Sequence, residues 1–296
     1  MIAVNRSVTS SKQYLQERLK RLGIYHRLKA SPLYQIYWSV ADHSILDGAA
    51  KEFEFYRGLL QGFQRGDSIF DIGANHGYKT EIFLRLGARV VAVEPDKVNQ
   101  RILEDKFLRY RLAPKPVVIV NCAVSDKQAT ETMWIDEPGS AKNTFSRKWV
   151  DTLQKDETRF GHALGFAQHQ EVTTTTLEQL CLEQGMPFFI KIDVEGHELS
   201  VLRGLRRPVP YLSFEVNLPE FRPEGLQCVE LLGGLAPDGK FNYAVGCDQG
   251  LLLPEWLHAD GFAKVLAQCE SSSIEVFWKT PQALPPARSA YFPERR

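Results

Sequence analysis

Two carboxylates and a glycine turn share one stretch, "SIFDIGANHGYKTEIFLRLGARVVAVEPD", residues 68–96. Asp71 follows the apolar pair Ile69-Phe70 and precedes Gly73 and Gly77, while Glu94 closes a β-branched run just ahead of Pro95. A nicotinamide dinucleotide calls for G-x-G-x-x-G, so that backbone amides and a helix N-terminus take the pyrophosphate. Here the glycines are spaced differently, and a carboxylate in front of them would repel a pyrophosphate. The same carboxylate suits a ligand that carries an ammonium group and a sulfonium. Glu94 can accept both hydroxyls of a ribose through its two oxygens, a feature common to several nucleoside-binding α/β folds. Asn75 stands midway between the glycines, and asparagine is among the few residues that tolerate a left-handed backbone. Without a ligand, Asp71 would be a turn cap and Glu94 a surface carboxylate.

A second constellation lies in "IKIDVEGHELSVLRGL", residues 190–205, and "LSFEVNLPE", residues 212–220. Asp193 and Glu215 fall at the carboxyl ends of two apolar runs, where open α/β sheets place their ligands. A neutral hydroxyl that attacks an electrophile needs a base to take its proton. Asp193, Glu215 and His197 are the candidates, since histidine titrates near neutrality. Asp193 could instead contact a cofactor amino group, or join Glu215 in holding a divalent cation. Magnesium suits few carboxylates and several waters, but the metal-free reading is favoured. His197 also reads as an ordinary helix-start residue, and Glu195 as a carboxylate at the positive end of the following helix. Lys191 reads as a buried partner for a carboxylate.

These residues need a frame, and the chain supplies a βαβ unit. Residues 68–72 read as a strand, 78–86 as a helix and 89–94 as a second strand. Residues 96–109 follow as a helix with Asp96 at its N-cap. "PVVIVNCAV", residues 116–124, reads as a third strand covered on both faces, because continuous apolar runs mark such strands. Residues 126–175 are polar and break the rhythm; they read as an edge strand plus a helix. "EVTTTTLEQL" reads as a strand feeding a helix, "FFIKI" and "YLSFEV" as the fourth and fifth strands, and "QCVELLGGL" as a helix. "KFNYAVG" and "SSSIEVFW" add two strands paired antiparallel. Upstream, residues 50–63 read as a helix, residues 12–29 as a basic amphipathic one, and "LYQIYWSV" as an aromatic helical stretch. The basic helix reads as packing its leucines on the domain, or as resting on an anionic surface. Tyr34, Tyr37, Trp38 and Tyr56 read as core, or as a wall for stacking sugars. The proline-rich end, residues 281–296, reads as peripheral. One doubly wound α/β domain, with a helical N-terminal extension, accommodates the whole pattern.

Bulk properties narrow the function further. The 296 residues contain 36 Lys plus Arg and 36 Asp plus Glu, so nothing global attracts nucleic acid. Five scattered cysteines without a C-x-x-C pair favour free thiols in a reducing compartment. No apolar run approaches the roughly 20 residues of a membrane span, and the start lacks the apolar core of a signal peptide. A cytoplasmic enzyme-like fold is expected, with no integral membrane segment. A homodimer is left open.

The acidic residue ahead of a glycine turn matches the pattern acidic-x-G-x-G-x-G of methyltransferases, with Asn75 in the place of the middle glycine. Taken together, "FDIGANHG", "VVAVEPD", "NCAVSD" and "IKIDVEGHELSVLRGL" resemble the FkbM family of S-adenosylmethionine-dependent methyltransferases. "LSFEVNLPE", "FNYAVG" and "LPEWLHAD" extend the resemblance over most of residues 51–278. It implies a Rossmann-like class I methyltransferase. That fold has a mostly parallel seven-stranded sheet with its last strand antiparallel and helices on both faces. It also implies that residues 51–280 form the catalytic domain, after an extension over 1–50 and before the tail over 281–296. Asp71, Gly73, Asn75 and Gly77 would line the methionine part of S-adenosylmethionine, Glu94 would take the ribose, and Ala123 and Val124 would border the adenine. Ala74, Lys79, Thr80 and Pro95 complete the expected cofactor set. The expected reaction is O-methylation of a hydroxyl on a sugar, glycan precursor or secondary metabolite. N-methylation of an amide or amine is the alternative within the same chemistry. A nicotinamide-dependent oxidoreductase or a non-catalytic cofactor-binding module stands further off.

Overall fold

A computed structural model describes residues 43–111 and 116–281. The basic helix, Tyr34, Tyr37, Trp38 and the proline-rich tail lie outside the described residues. The chain divides into two units, Met1–Ala50 and Lys51–Arg296, and every strand among the described residues belongs to the second. In chain order the strands are β1 (Ser68–Ile72), β2 (Arg89–Val93), β3 (Val117–Val120), β4 (Ala123–Val124), β5 (Ala129–Ile135), β6 (Gln168–Thr175), β7 (Phe189–Ile192), β8 (Tyr211–Asn217), β9 (Lys240–Ala244) and β10 (Ser273–Lys279). The helices are α1 (His43–Leu59), α2 (Tyr78–Leu86), α3 (Lys97–Lys106), α4 (Leu108–Arg111), α5 (Arg147–Leu153), α6 (Leu177–Gln184), α7 (Glu198–Arg203), α8 (Arg222–Leu235) and α9 (Ala259–Gln268).

Seven strands form one sheet in the order β3-β2-β1-β7-β8-β10-β9. Neighbours from β3 through β8 run parallel, and β10 is antiparallel to both β8 and β9. The parallel core is buried on both faces because alternate residues feed two apolar clusters. Phe70, Ile72, Val91, Ile190 and Phe214 pack on one side under α6, α7, α8 and α9. Ile69, Val90, Phe189 and Phe277 pack on the other against Tyr56 and Phe83. Tyr56 is wholly buried, so it belongs to the core and not to a sugar-stacking wall. The strand order reverses between β1 and β7, and this switch point opens a crevice at the strands' carboxyl ends.

Two readings of the sequence change. "PVVIVNCAV" is not one fully buried strand. Its first part is β3, an edge strand with a single neighbour and mostly half-buried residues. The chain then breaks at Asn121-Cys122, and β4 pairs with β6 in a separate sheet. The polar segment that follows does hold the expected strand and helix, and "EVTTTT" the expected further strand, but these strands do not join the main sheet. They lie in the sheet β4-β6-β5, with α5 between β5 and β6.

Candidate active site

Backbone contacts at the switch point begin with the turn after β1. The N–H groups of Gly73 and Ala74 both donate to the carbonyl of Val93, each at 3.0 Å. This ties the turn to the end of β2. Asn75 adopts φ 49°, the left-handed conformation its residue type allows. Its N–H donates to Glu94 Oε2 at 2.7 Å, while Asp96 N–H donates to Glu94 Oε1 at 2.8 Å. Burial pushes the Glu94 carboxyl up to about 7, although these two amides oppose the shift. Asn99 Nδ2 also reaches Oε1, at 3.5 Å, so Oε2 is the oxygen that keeps a lone pair for a further donor.

Gly73, Asn75, Glu94, Pro95, Ala123 and Val124 line one cleft of about 550 Å³, and Asp193 and His197 border it as well. Asn99 in the same wall has a buried Oδ1 with no hydrogen-bond partner among the described residues. Its Nδ2 faces Glu94 Oε1 at 3.5 Å; the Glu94 carboxylate beside the apolar Ala123 and Val124 is the part of the wall whose chemistry fits a ribose and a base. Asp71, Ala74, Gly77 and Thr80 stand behind the turn and are not in the lining. Asp71 Oδ2 accepts the Thr80 hydroxyl at 2.6 Å, and Asp71 pairs in register with Lys191 on the neighbouring strand. Burial raises its pKa against the pull of Lys191 and Thr80. Asp71 therefore anchors the start of α2 and has no direct place in the cleft wall.

Asp193 also lines a second pocket of about 620 Å³, together with Lys79, Lys191, Glu215, Asp248 and Glu275. Lys191 Nζ donates to Asp193 Oδ2 at 2.7 Å. Burial alone would raise Asp193, but the Lys191 ammonium overrides it and holds the carboxyl below its usual range. Burial pulls Lys191 down, and Asp193, Glu275 and Asp71 more than compensate, so it stays charged. Glu215 accepts Ser273 Oγ at 2.8 Å and Asn217 Nδ2 at 3.2 Å. Burial and then the charge of Asp193 raise its pKa well above the carboxylate range. Lys79 pairs with Glu52 at the same pocket.

His197 forms the N-cap of α7 and points elsewhere. Its Nε2 lies 3.1 Å from Ser125 Oγ and 3.7 Å from Glu131 Oε2, and its ring packs near Phe145. Burial lowers its pKa despite Glu131 and Asp126, so the ring is neutral at pH 7. The structure therefore brings Asp193 and Glu215 together and leaves His197 out of their pocket. Reasoning from the sequence missed Asn99, Ser140, Asn143 and Phe145 in the cleft wall. The polar run "PGSAKNTF" marked three of the four, without any sign of where it packs.

A family model described as the methyltransferase FkbM domain matches residues 71–232, more than half of the chain. The chain belongs to the FkbM methyltransferase family. This FkbM protein is accordingly an S-adenosylmethionine-dependent methyltransferase. No curated protein matches it significantly. Among solved structures it is similar to the precorrin-6Y C5,15-methyltransferase of Geobacter metallireducens GS-15, with 10% identity over 79% of this chain and 87% of that one and a TM-score of 0.36. A TehB-like SAM-dependent methyltransferase of Corynebacterium glutamicum shares 11% identity over 85% of this chain and all of its own, with a TM-score of 0.39. The plantazolicin methyltransferase BpumL, solved with SAH, shares 12% identity over 91% of this chain and all of its own, with a TM-score of 0.37. The family match, and not these distant likenesses, decides the assignment. No helix among the described residues is long and apolar enough to cross a membrane.

Proposed function

We propose that this FkbM methyltransferase acts on a hydroxyl of a polar acceptor, a sugar, glycan precursor or secondary metabolite, with Asp193 as the general base. One observation carries the reading: Asp193 borders both the cleft that holds Glu94 and the charged second pocket. When bound, S-adenosylmethionine supplies a methyl group on a sulfonium. The protein's task is then to align an acceptor with it and remove a proton. Asp193 is ionised beside Lys191 and stands where a hydroxyl from the second pocket would meet the cleft. Glu215, whose pKa burial and the Asp193 charge raise, stands beside Asp193 in the same pocket, where its protonated form could donate to the acceptor oxygen or to Asp193. The pocket's lining is polar, and Lys79 and Lys191 already pair with its Glu52 and Asp193, which suits a polar hydroxyl acceptor.

A divalent cation is the second reading, because carboxylate oxygens of Asp193, Glu195 and Glu215 lie within 4.8 Å of one another. Against it, Lys191 already supplies Asp193 with a countercharge, and Glu195 Oε2 accepts Trp149 Nε1 at 3.0 Å. The test is S-adenosylhomocysteine release with a panel of hydroxyl and amine acceptors, with and without EDTA. Hydroxyl acceptors should turn over, EDTA should not matter, and Asp193→Asn should cost about 10²–10⁴-fold. Turnover confined to amines, or abolished by EDTA and restored by magnesium, would overturn the reading.

A further inference from the structure

Two sets of bonds hold the segment between β5 and α5 against the cofactor cleft. In the first, Gly139 N–H and Asn143 Nδ2 both donate to Asp96 Oδ2, at 3.0 and 2.8 Å. The other oxygen of Asp96 caps α3, accepting Val98 N–H at 2.7 Å and Asn99 N–H at 3.3 Å. Asp96 N–H in turn donates to Glu94. This one buried carboxylate thus links the helix start, the candidate ribose acid and a segment more than forty residues away. In the second, next to Asn143, the fully buried Thr144 donates through Oγ1 to the Glu195 carbonyl at 2.6 Å. Trp149 holds the Glu195 carboxylate just beyond. A Cβ on Gly139 would stand 3.0 Å from Val98 Cγ1 and 3.2 Å from Asn99 Oδ1, so the backbone lies directly on α3. Ser140, Ala141, Asn143 and Phe145 of this segment face the cleft.

We propose that Asp96 and Asn143 are positioning residues for the cofactor: they fasten residues 139–145 as a wall of the cleft that exists before any ligand arrives. A prebuilt wall removes the ordering cost that a loose segment would add on binding. It also closes that side of the cleft, leaving the pocket beyond Asp193 as the approach for the acceptor. The inference rests on the cleft being the cofactor site, and its test separates the two claims.

Hydrogen exchange of the cofactor-free protein reads the wall itself, and calorimetry with S-adenosylhomocysteine reads its consequence. In Asn143→Asp the donor to Asp96 becomes a second carboxylate, while the side chain keeps its size and the cap of α3 stays intact. Asn143→Ala removes the tie without the repulsion, together with the bonds that Asn143 makes inside the segment to Asp136 N–H and the Glu137 carbonyl; Asn143→Asp keeps an acceptor for Asp136 N–H. In both variants the amides of residues 139–144 should exchange faster than in the wild type. The dissociation constant for S-adenosylhomocysteine should rise about tenfold or more, as loss of a hydrogen bond to a charged group implies. The kinetic loss should fall on KM for the cofactor and not on kcat. Slow exchange in both variants would show that the tie does not hold the segment. Fast exchange with unchanged affinity would show that the segment is no part of the cofactor wall. Failure of the wild type to bind S-adenosylhomocysteine, with exchange still responding to the variants, would instead overturn the cofactor-site reading on which the inference rests.

Discussion

The carbonyl oxygen of Asp193 lies 1.9 Å from the position that a Cβ on Gly73 would occupy. The turn after β1 and the loop after β7 therefore touch backbone to backbone, and this contact sets the floor between the cleft and the second pocket. Gly73 also sits at φ +82°, a conformation that side chains rarely adopt. Gly73→Ala should lower the melting temperature, costing at least about 1–3 kcal/mol from backbone strain, and should abolish measurable S-adenosylhomocysteine binding. Unchanged melting and unchanged affinity would show that the two loops are free to separate.

Glu94 makes a pH prediction of definite sign. Its folded pKa of about 7 lies above its ordinary value of 4.5, so the native state binds this proton more tightly than the unfolded chain. The resulting stabilisation is complete below pH 4.5 and is lost as pH rises through about 7. Between about pH 5 and 8 the ligand-free wild type should therefore lose stability relative to Glu94→Gln, which carries no such proton. Ribose hydroxyls favour the carboxylate form, so cofactor affinity should rise with pH up to about 7, with proton release on binding. Calorimetry in buffers of different ionisation enthalpy measures that release, and its absence would place the ribose away from Glu94.

Lys191 is predicted to act through Asp193. Replacing it with methionine keeps the stem and removes the ammonium that holds Asp193 below its usual range. The acid limb of the turnover profile should then move to higher pH, with the cofactor dissociation constant little changed. If the limb stays in place in Lys191→Met and moves in a His197 variant, the base is His197 and not Asp193.

Much of this arrangement is legible in the sequence because it is local. A period of two puts Lys191 and Asp193 on one side of β7, and it puts Ser213 and Glu215 on one side of β8. The carboxyl ends of β1, β2 and β7 are readable from where the apolar runs stop. What is not legible depends on partners remote in sequence. Asp71 turns to Thr80 and Lys191, and nothing in "FDIGANHG" distinguishes that from facing a ligand. The bond from Asn143 to Asp96 spans 47 positions, so the role of the polar insertion emerges only when the chain is folded. The apolar run of β3 reports composition and not neighbours, so it conceals an edge strand. His197 does stand at a helix start, but its direction toward Ser125 follows from the small second sheet that carries Glu131.

A crystal structure with S-adenosylhomocysteine bound tests the assignment of Glu94 and Asp193 in one measurement. The ribose hydroxyls should lie on Glu94, the adenine against Ala123 and Val124, and the sulfur should face Asp193 where the cleft meets the second pocket. A ribose held away from Glu94, or a sulfur directed at His197 with Asp193 remote from it, would contradict the assignment.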